Sequence, residues 1–324
     1  MKLRELRAVE AIVYRHMTPT AQICWPLLSQ RCGCEVWVKH ENHTPIGAFK
    51  VRGGLVYMHE LMQAQSQLPG VIAATRGNHG QSIAFAARCY GLPATVVVPH
   101  GNNPEKNAAM QAYGAALIEQ GHDFQAAYEH SCTLAQEQGL HWVPSFHPWL
   151  VKGVSTYAFE FLRAVPDLHT VYVPIGLGSG ICGMIQARDA LGLKTRLVGV
   201  VAENAAAYAL SFARRAPVST TSADTLADGV AVRVPHNDAL EMIYKGVERV
   251  VTVSEQALLE AIGHYLQDTH NLAEGAGAAP LAALLKERAE LAGKRVGLVL
   301  SGGNVDRALL CRALACVDAK GESR

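Results

Sequence analysis

No run of about 18 uncharged apolar residues occurs in the 324-residue chain, so nothing in it reads as a membrane span. Neither sign of charge is in excess: 29 lysines and arginines stand against 28 aspartates and glutamates. That balance removes the electrostatic case for nucleic acid or an anionic membrane surface as a partner. A signal peptide is not expected, because Lys2, Arg4, Glu5, Arg7 and Glu10 spread charge where an apolar stretch would be needed. Repeats and low-complexity linkers are missing too, so any domain division must be discontinuous or subtle. The eight cysteines are scattered; only Cys32 and Cys34 are close, and no second pair stands at zinc-site spacing. They read as buried thiols of a reducing, cytoplasmic compartment. His40, His43, His79, His100, His122, His141, His147 and His270 form no close ligand set with carboxylates, so no metal is expected.

What is present is apolar bulk in a regular order. Hydrophobic residues make up 49% and charged ones 18%, enough for a large core and unlike a disordered chain. Apolar spacing predicts an amphipathic helix over 3–16. A strand over 35–39 leads to a loop, and a helix starts near Lys50 and runs to about 65. Short apolar strands at 71–74, 94–98, 116–118, 141–143, 170–175 and 196–201 then alternate with helices at 77–90, 104–113, 124–138, 153–164 and 181–191. This alternation predicts an α/β fold, a parallel sheet covered by helices on both faces. Residues 203–235 are less regular and read as a covering segment. Helices at 239–244, 255–267 and 278–291 and strands at 250–253 and 296–300 follow.

Four loops carry chemistry. In HTPIGAFKVRGG (43–54), Lys50 is pressed among Gly47, Ala48, Phe49, Val51, Gly53 and Gly54. A lysine so crowded loses hydration, its pKa falls and it becomes a nucleophilic amine; the plainer alternative is a lysine at an exposed helix start. GLGSGICG (176–183) lies between a strand and a helix, where free backbone N–H groups bind phosphate. Gly178, Gly180 and Gly183, with Glu203 about 20 residues on, also spell a dinucleotide fingerprint, which keeps a nicotinamide enzyme in view. TRGNHG (75–80) opens a helix whose first amides suit a carboxylate, although Asn78 is equally at home as a plain helix cap. Ser301 opens SGGN at the end of a strand, where serine is also a common turn residue.

Taken in order, WVKHEN…TPIGAFKVRGG, TRGNHG, GLGSGICG, LADGVAV (226–232) and SGGN resemble the pyridoxal-phosphate (PLP) enzymes of the threonine dehydratase and serine racemase family. The likeness covers residues 35–305 and implies the two-lobed fold type II architecture, similar to the tryptophan synthase β chain. Twisted, parallel-rich sheets would be covered by helices on both faces. A large PLP-binding domain would comprise 1–51 plus 148–324, and a small domain 52–147, with no C-terminal regulatory domain. By the same resemblance Lys50 is the Schiff-base lysine, with Phe49 beside the cofactor. Gly176, Leu177, Gly178, Ser179 and Gly180 hold its phosphate, Asn78 its 3-hydroxyl, and Ser301 faces its ring nitrogen. Thr75, Arg76, Gly77 and His79 form the substrate-binding turn.

The sequence departs from the family pattern at four places. Leu177 and Ser179 stand in a loop that in the family pattern is four glycines and a leucine. Arg76 takes the place of the racemase serine on the opposite face of the substrate, so low racemase activity is expected. Val201 replaces a glutamate that binds a cation in some relatives, so no divalent metal is expected there, with Glu203 nearby for a remodelled site at most.

The implied activity is an α,β-elimination converting a 3-hydroxy-L-amino acid of the threonine or serine type to a 2-oxo acid and ammonia, with Lys50 as base. Arg76 and Leu177 keep open a dehydratase for a bulky aromatic substrate such as L-threo-3-phenylserine. The nicotinamide-dependent oxidoreductase is a remoter alternative, and an intact Lys50 argues against a non-catalytic binding protein. A homodimer or higher homo-oligomer is the assembly the resemblance implies.

Overall fold

The computed structural model describes residues 1–65 and 67–321. The chain opens with α1 (Leu3–Val13), which buries Leu6, Val9 and Val13 at helical spacing, then β1 (Gln22–Cys24), α2 (Pro26–Cys32) and β2 (Glu35–His40). Then come α3 (Lys50–Ala64), β3 (Val71–Ala74), α4 (Asn78–Cys89), β4 (Ala94–Val98), α5 (Pro104–Ala112), β5 (Ala116–Glu119), α6 (Phe124–Gln138) and β6 (His141–Trp142). The rest is α7 (Pro148–Ala164), β7 (Thr170–Pro174), α8 (Ser179–Ala190), β8 (Arg196–Ala202), α9 (Ala207–Arg214) and α10 (Asn237–Gly246). It ends with β9 (Arg249–Val253), α11 (Glu255–Thr269), α12 (Gly275–Glu287), β10 (Arg295–Leu300) and α13 (Arg307–Gly321).

Two sheets result. The smaller has the order β5-β4-β3-β6 with all pairs parallel, and every strand comes from residues 71–142. The larger has the order β1-β2-β10-β7-β8-β9, parallel except for β1. Its strands come from both sides of the smaller sheet: β10 runs between β2 and β7, in register from Arg295 opposite Glu35 to Leu300 opposite His40. Alternate residues face opposite helix layers, as a period of two requires. Val198 and Val200 join one apolar cluster with α11 and α12, while Leu197 and Val201 join another with α7 and α8. In the smaller sheet Val71 and Ala73 face α3 and α4, and Ile72 faces α6.

Where the structure differs from the sequence reading, local signals explain it. β1 is three residues long, too short to show a period, and α2 starts on a proline at its first position. α9 lies within the segment read as irregular, and α13 follows SGGN unforeseen. α7 begins at Pro148, five residues before the expected 153, because proline fits the first helical position and His147 Nδ1 accepts the Trp149 N–H at 3.2 Å.

One buried cluster pins the start of α3. Arg52 is fully buried; its Nε and Nη2 donate to the two Glu41 oxygens at 2.7 and 2.9 Å, and its Nη1 and Nη2 donate to Glu160 on α7 at 2.5 and 3.0 Å. Lys39 of β2, also fully buried, donates to the same Glu160 at 2.5 Å and to the Thr20 carbonyl at 2.7 Å. Burial alone would raise Glu160, but the Arg52 and Lys39 cations outweigh it and hold the carboxyl below its usual range. Two cations and two anions thus tie β2, α3 and α7 together.

Candidate active site

Four loops follow the carboxyl ends of strands and converge. β2 leads to Lys50, β3 to Thr75–Gly80, β7 to the glycine loop and β10 to Ser301, the usual place for a ligand in a parallel sheet. The first and last lie side by side: Phe49 N donates to the Ser301 carbonyl at 3.0 Å, and Ala48 bridges to Gly302. Lys50 is the first residue of α3, and Ser82 of α4 donates to its carbonyl at 2.6 Å. Its Nζ lies 5.2 Å from the Phe49 ring centroid. The side chain keeps some accessible surface, but burial pushes the ammonium down to about 8, with the Glu274 carboxylate opposing the shift.

Asn78 starts α4 and is fixed at both ends of its amide. Nδ2 donates to Glu274 Oε1 and Oε2 at 2.7 and 3.0 Å, and Oδ1 accepts from Asn304 Nδ2 at 2.8 Å. One Oδ1 lone pair is left for a hydroxyl donor. Burial raises the Glu274 pKa against the pull of Lys106 and Asn78. Neither Glu274 nor Asn304's grip on Asn78 was foreseen from sequence; LAEGAG carries no chemical pattern of its own.

The Thr75–Gly80 turn uses its threonine internally. Thr75 is buried and its Oγ1 accepts from Gly77 N and Gly80 N, each at 3.0 Å. The hydroxyl expected to face a substrate therefore shapes the turn. Arg76 is exposed and makes no hydrogen bond or ion pair among the described residues. Gly77 is buried beneath the Lys106 side chain, and Lys106 Nζ reaches Asp228 of LADGVAV at 2.6 Å. His79 is buried, and its Nε2 has no hydrogen-bond partner among the described residues.

The glycine loop forms a cradle. Tyr208 donates to the Leu177 carbonyl and Tyr157 to the Gly180 carbonyl, each at 2.9 Å. In a planar trans peptide the N–H points away from the C=O, so the amides of Gly178 and Ile181 turn away from those tyrosines. The first N–H groups of α8 have no partner within the helix and add its dipole. Gly176 and Gly178 admit no side chain: a Cβ at Gly176 would strike the Gly229 carbonyl, and Gly178 has φ +102° with Ala239 Cβ 2.7 Å from where its Cβ would lie. Leu177, by contrast, turns onto the apolar cluster shared with Tyr208 and Val173, and Ser179 is buried at the first position of α8.

Ser301 is buried at the end of β10. Val201 is buried in the sheet, and Glu203 lies 3.9 Å from Lys286. Among the described residues no three His, Cys, Asp or Glu side chains gather at a metal-binding distance, and no helix is long and apolar enough to cross a membrane. The eight cysteines are free, and burial pushes Cys32 and Cys34 up to about 12 and about 11.

The donor set suits pyridoxal phosphate. A buried amine, an amide oxygen with a spare lone pair, a neutral hydroxyl and a side-chain-free phosphate cradle answer its aldehyde, 3-hydroxyl, ring nitrogen and phosphate. On the same helix as Asn78, the buried His79 Nε2 is left without a partner among the described residues.

Comparison with known proteins agrees. The model of the family described as pyridoxal-phosphate dependent enzyme matches residues 13–302. An L-threonine ammonia-lyase from Geobacter sulfurreducens is 39% identical over 86% of this chain and 69% of its own length. Another from Thermotoga maritima is 33% identical over 95% and 76%. The processed form of threonine deaminase isoform 2 from Solanum lycopersicum superposes with a TM-score of 0.90 at 28% identity, over 97% of this chain and 92% of that one. The nicotinamide alternative falls with these matches. Identity at this level along nearly the whole chain settles the matter: the protein belongs to the family of pyridoxal-phosphate-dependent enzymes.

Proposed function

We propose that the protein is an ammonia-lyase for 3-hydroxy-L-amino acids of the threonine and serine type. The observation that carries this is Lys50, whose ammonium is brought to about 8 by burial at the meeting point of the four loops. Near neutral pH a useful fraction of such an amine is unprotonated and able to take the α-proton. Pyridoxal phosphate, when bound, supplies the electron sink for charge at the α-carbon.

The chain's own groups do the rest. Amides at the start of α8 hold the phosphate, and Asn78 Oδ1 accepts the 3-hydroxyl. The Ser301 hydroxyl stays neutral and leaves the ring nitrogen without a full charge. The first amides of α4, shaped by Thr75, hold the substrate carboxylate. The α-proton and β-hydroxyl leave together as water. The released enamine tautomerises to an imine, which takes up water to give the 2-oxo acid and ammonium.

Residues 52–147 form the smaller lobe in this reading, and the enzyme works as a homo-oligomer. Leu177 packs on the core and Arg76 stands in solvent, so neither calls for a bulkier substrate. A panel of 3-hydroxy amino acids assayed for 2-oxo acid release, beside the visible absorbance of protein-bound cofactor, tests the assignment. Threonine and serine are expected to turn over, and Lys50→Ala to lose both turnover and the cofactor band. Cofactor binding with no 2-oxo acid from any member of the panel would sink it.

A further inference from the structure

One buried side-chain nitrogen on α4, close enough to Lys50 to feel its charge, has no hydrogen-bond partner among the described residues. His79 is 8% exposed and its Nε2 makes no hydrogen bond. The ring's hydrogen bond to the Val143 backbone therefore runs through Nδ1. A backbone acceptor there fixes the hydrogen on Nδ1 and leaves Nε2 as a bare lone pair. Burial, with the Lys50 cation adding to it, pushes the imidazole down to about 3, so the ring stays neutral through the physiological range. The face of α4 that carries it is turned to the start of α3. Ser82, one turn along the same helix face, is the residue that donates to the Lys50 carbonyl. Glu274, the carboxylate that acts on Lys50, is taken up by the Asn78 amide.

The missing partner is thus an O–H or N–H donor brought by a ligand. On the ammonia-lyase reading, on which this inference rests, the candidates are few. A substrate carboxylate has no hydrogen to give, the substrate amine is taken up by the cofactor, and the cofactor 3-hydroxyl goes to Asn78. We propose that His79 Nε2 accepts the β-hydroxyl hydrogen of the substrate, making His79 the residue that selects a hydroxyl at that carbon and fixes its orientation. Accepting this hydrogen bond does not protonate the leaving oxygen, so His79 is a positioning residue and not the acid of the elimination.

The test compares leaving groups. L-Threonine offers a hydrogen to Nε2; β-chloro-L-alanine offers none but eliminates to a 2-oxo acid by the same route. For His79→Leu the ratio of kcat/KM for threonine to that for β-chloroalanine is expected to fall about tenfold or more, the effect of one lost hydrogen bond to a buried acceptor. His79→Gln, whose amide oxygen reaches the Nε2 position, is expected to recover part of that ratio. Equal losses on both substrates, or loss of the cofactor band, would give Nε2 to the fold or the cofactor and overturn the proposal. If His79→Leu does not fold, the hydroxyl is removed from the ligand instead. L-2-Aminobutyrate binding wild type as tightly as threonine would overturn the proposal, and binding about tenfold weaker supports it. A wild-type enzyme active on neither substrate would overturn the ammonia-lyase reading itself. One active on both, with a ratio that the variants leave alone, would overturn only the role of His79.

Discussion

Arg52→Met tests the buried charge cluster in its sharpest form. Methionine keeps the apolar stem but removes five hydrogen bonds of 3.0 Å or less, to Glu41, Glu160 and Thr156. Left behind are Glu41, fully buried with the Thr20 hydroxyl as its remaining partner at 2.6 Å, and Glu160, still held by Lys39. Two carboxylates then face one ammonium without solvent. Breaking a buried pair from one side costs about 3–5 kcal/mol, because the other charge stays unmatched. For a 324-residue chain unfolding cooperatively, this lowers Tm by about 4–7 °C. The residue lies two positions from Lys50 at the start of α3, so kcat is expected to fall as well; about 1 Å of misplacement is enough for roughly a hundredfold. Arg52→Lys cannot reproduce the two-pronged contact with Glu41 and is expected to stay impaired. Adding Glu41→Gln to Arg52→Met removes the stranded charge and is expected to regain about half of the lost stability. Calorimetric melts of the cofactor-free protein decide the matter. An Arg52→Met melt within about 1 °C of the parent would refute the reasoning.

Three further outcomes are expected. Stability of the cofactor-free protein falls as pH drops from 6.5: buried His79 and His40 have folded pKa values of about 3 and about 4, so only the unfolded state takes up their protons, at about 2 kcal/mol each by pH 5, measurable in urea titrations. A flat stability between pH 7 and 5 would contradict both depressions. Lys50→Met stabilises the cofactor-free protein by about 1–3 kcal/mol near pH 7, because a lysine whose pKa falls on folding costs stability below that pKa; the gain shrinks as pH rises from 8 toward 10.5, and a variant no more stable than its parent at pH 7 contradicts it. Gly178→Ala weakens cofactor binding at least tenfold by equilibrium dialysis, since its backbone is left-handed and Ala239 occupies the space a Cβ needs; unchanged affinity would free the loop from that constraint.

The repetitive part of the fold was legible in the sequence for a physical reason. Strands buried on both faces are short apolar runs, and the glycines and prolines between them mark where helices begin and end. The crowding of Lys50, the helix start at Asn78, the glycine turn before α8 and the strand-end place of Ser301 were legible because each is a local feature of the chain. What escaped was set by partners far away in the chain. Glu160 meets Arg52 across 108 positions, and Glu274 meets Asn78 across 196. No window of sequence holds both members of either pair. Arg76 is exposed and Leu177 packs on the core, placements that residue type alone does not announce.

The placement of β10 between β2 and β7 has a consequence for the order in which the protein assembles. Val71–Trp142 holds every strand of the smaller sheet, so that sheet can close while the ribosome is still making the rest. The larger sheet must wait, because the gap beside β2 is filled by a strand made 260 positions later. Until then the edge of β2 is bare and the Phe49 amide lacks the Ser301 carbonyl. The pairing closes a loop of about 260 residues, and long-range pairing of this kind is slow. Lys50 is therefore made early and seated last, in the same step that completes the larger sheet.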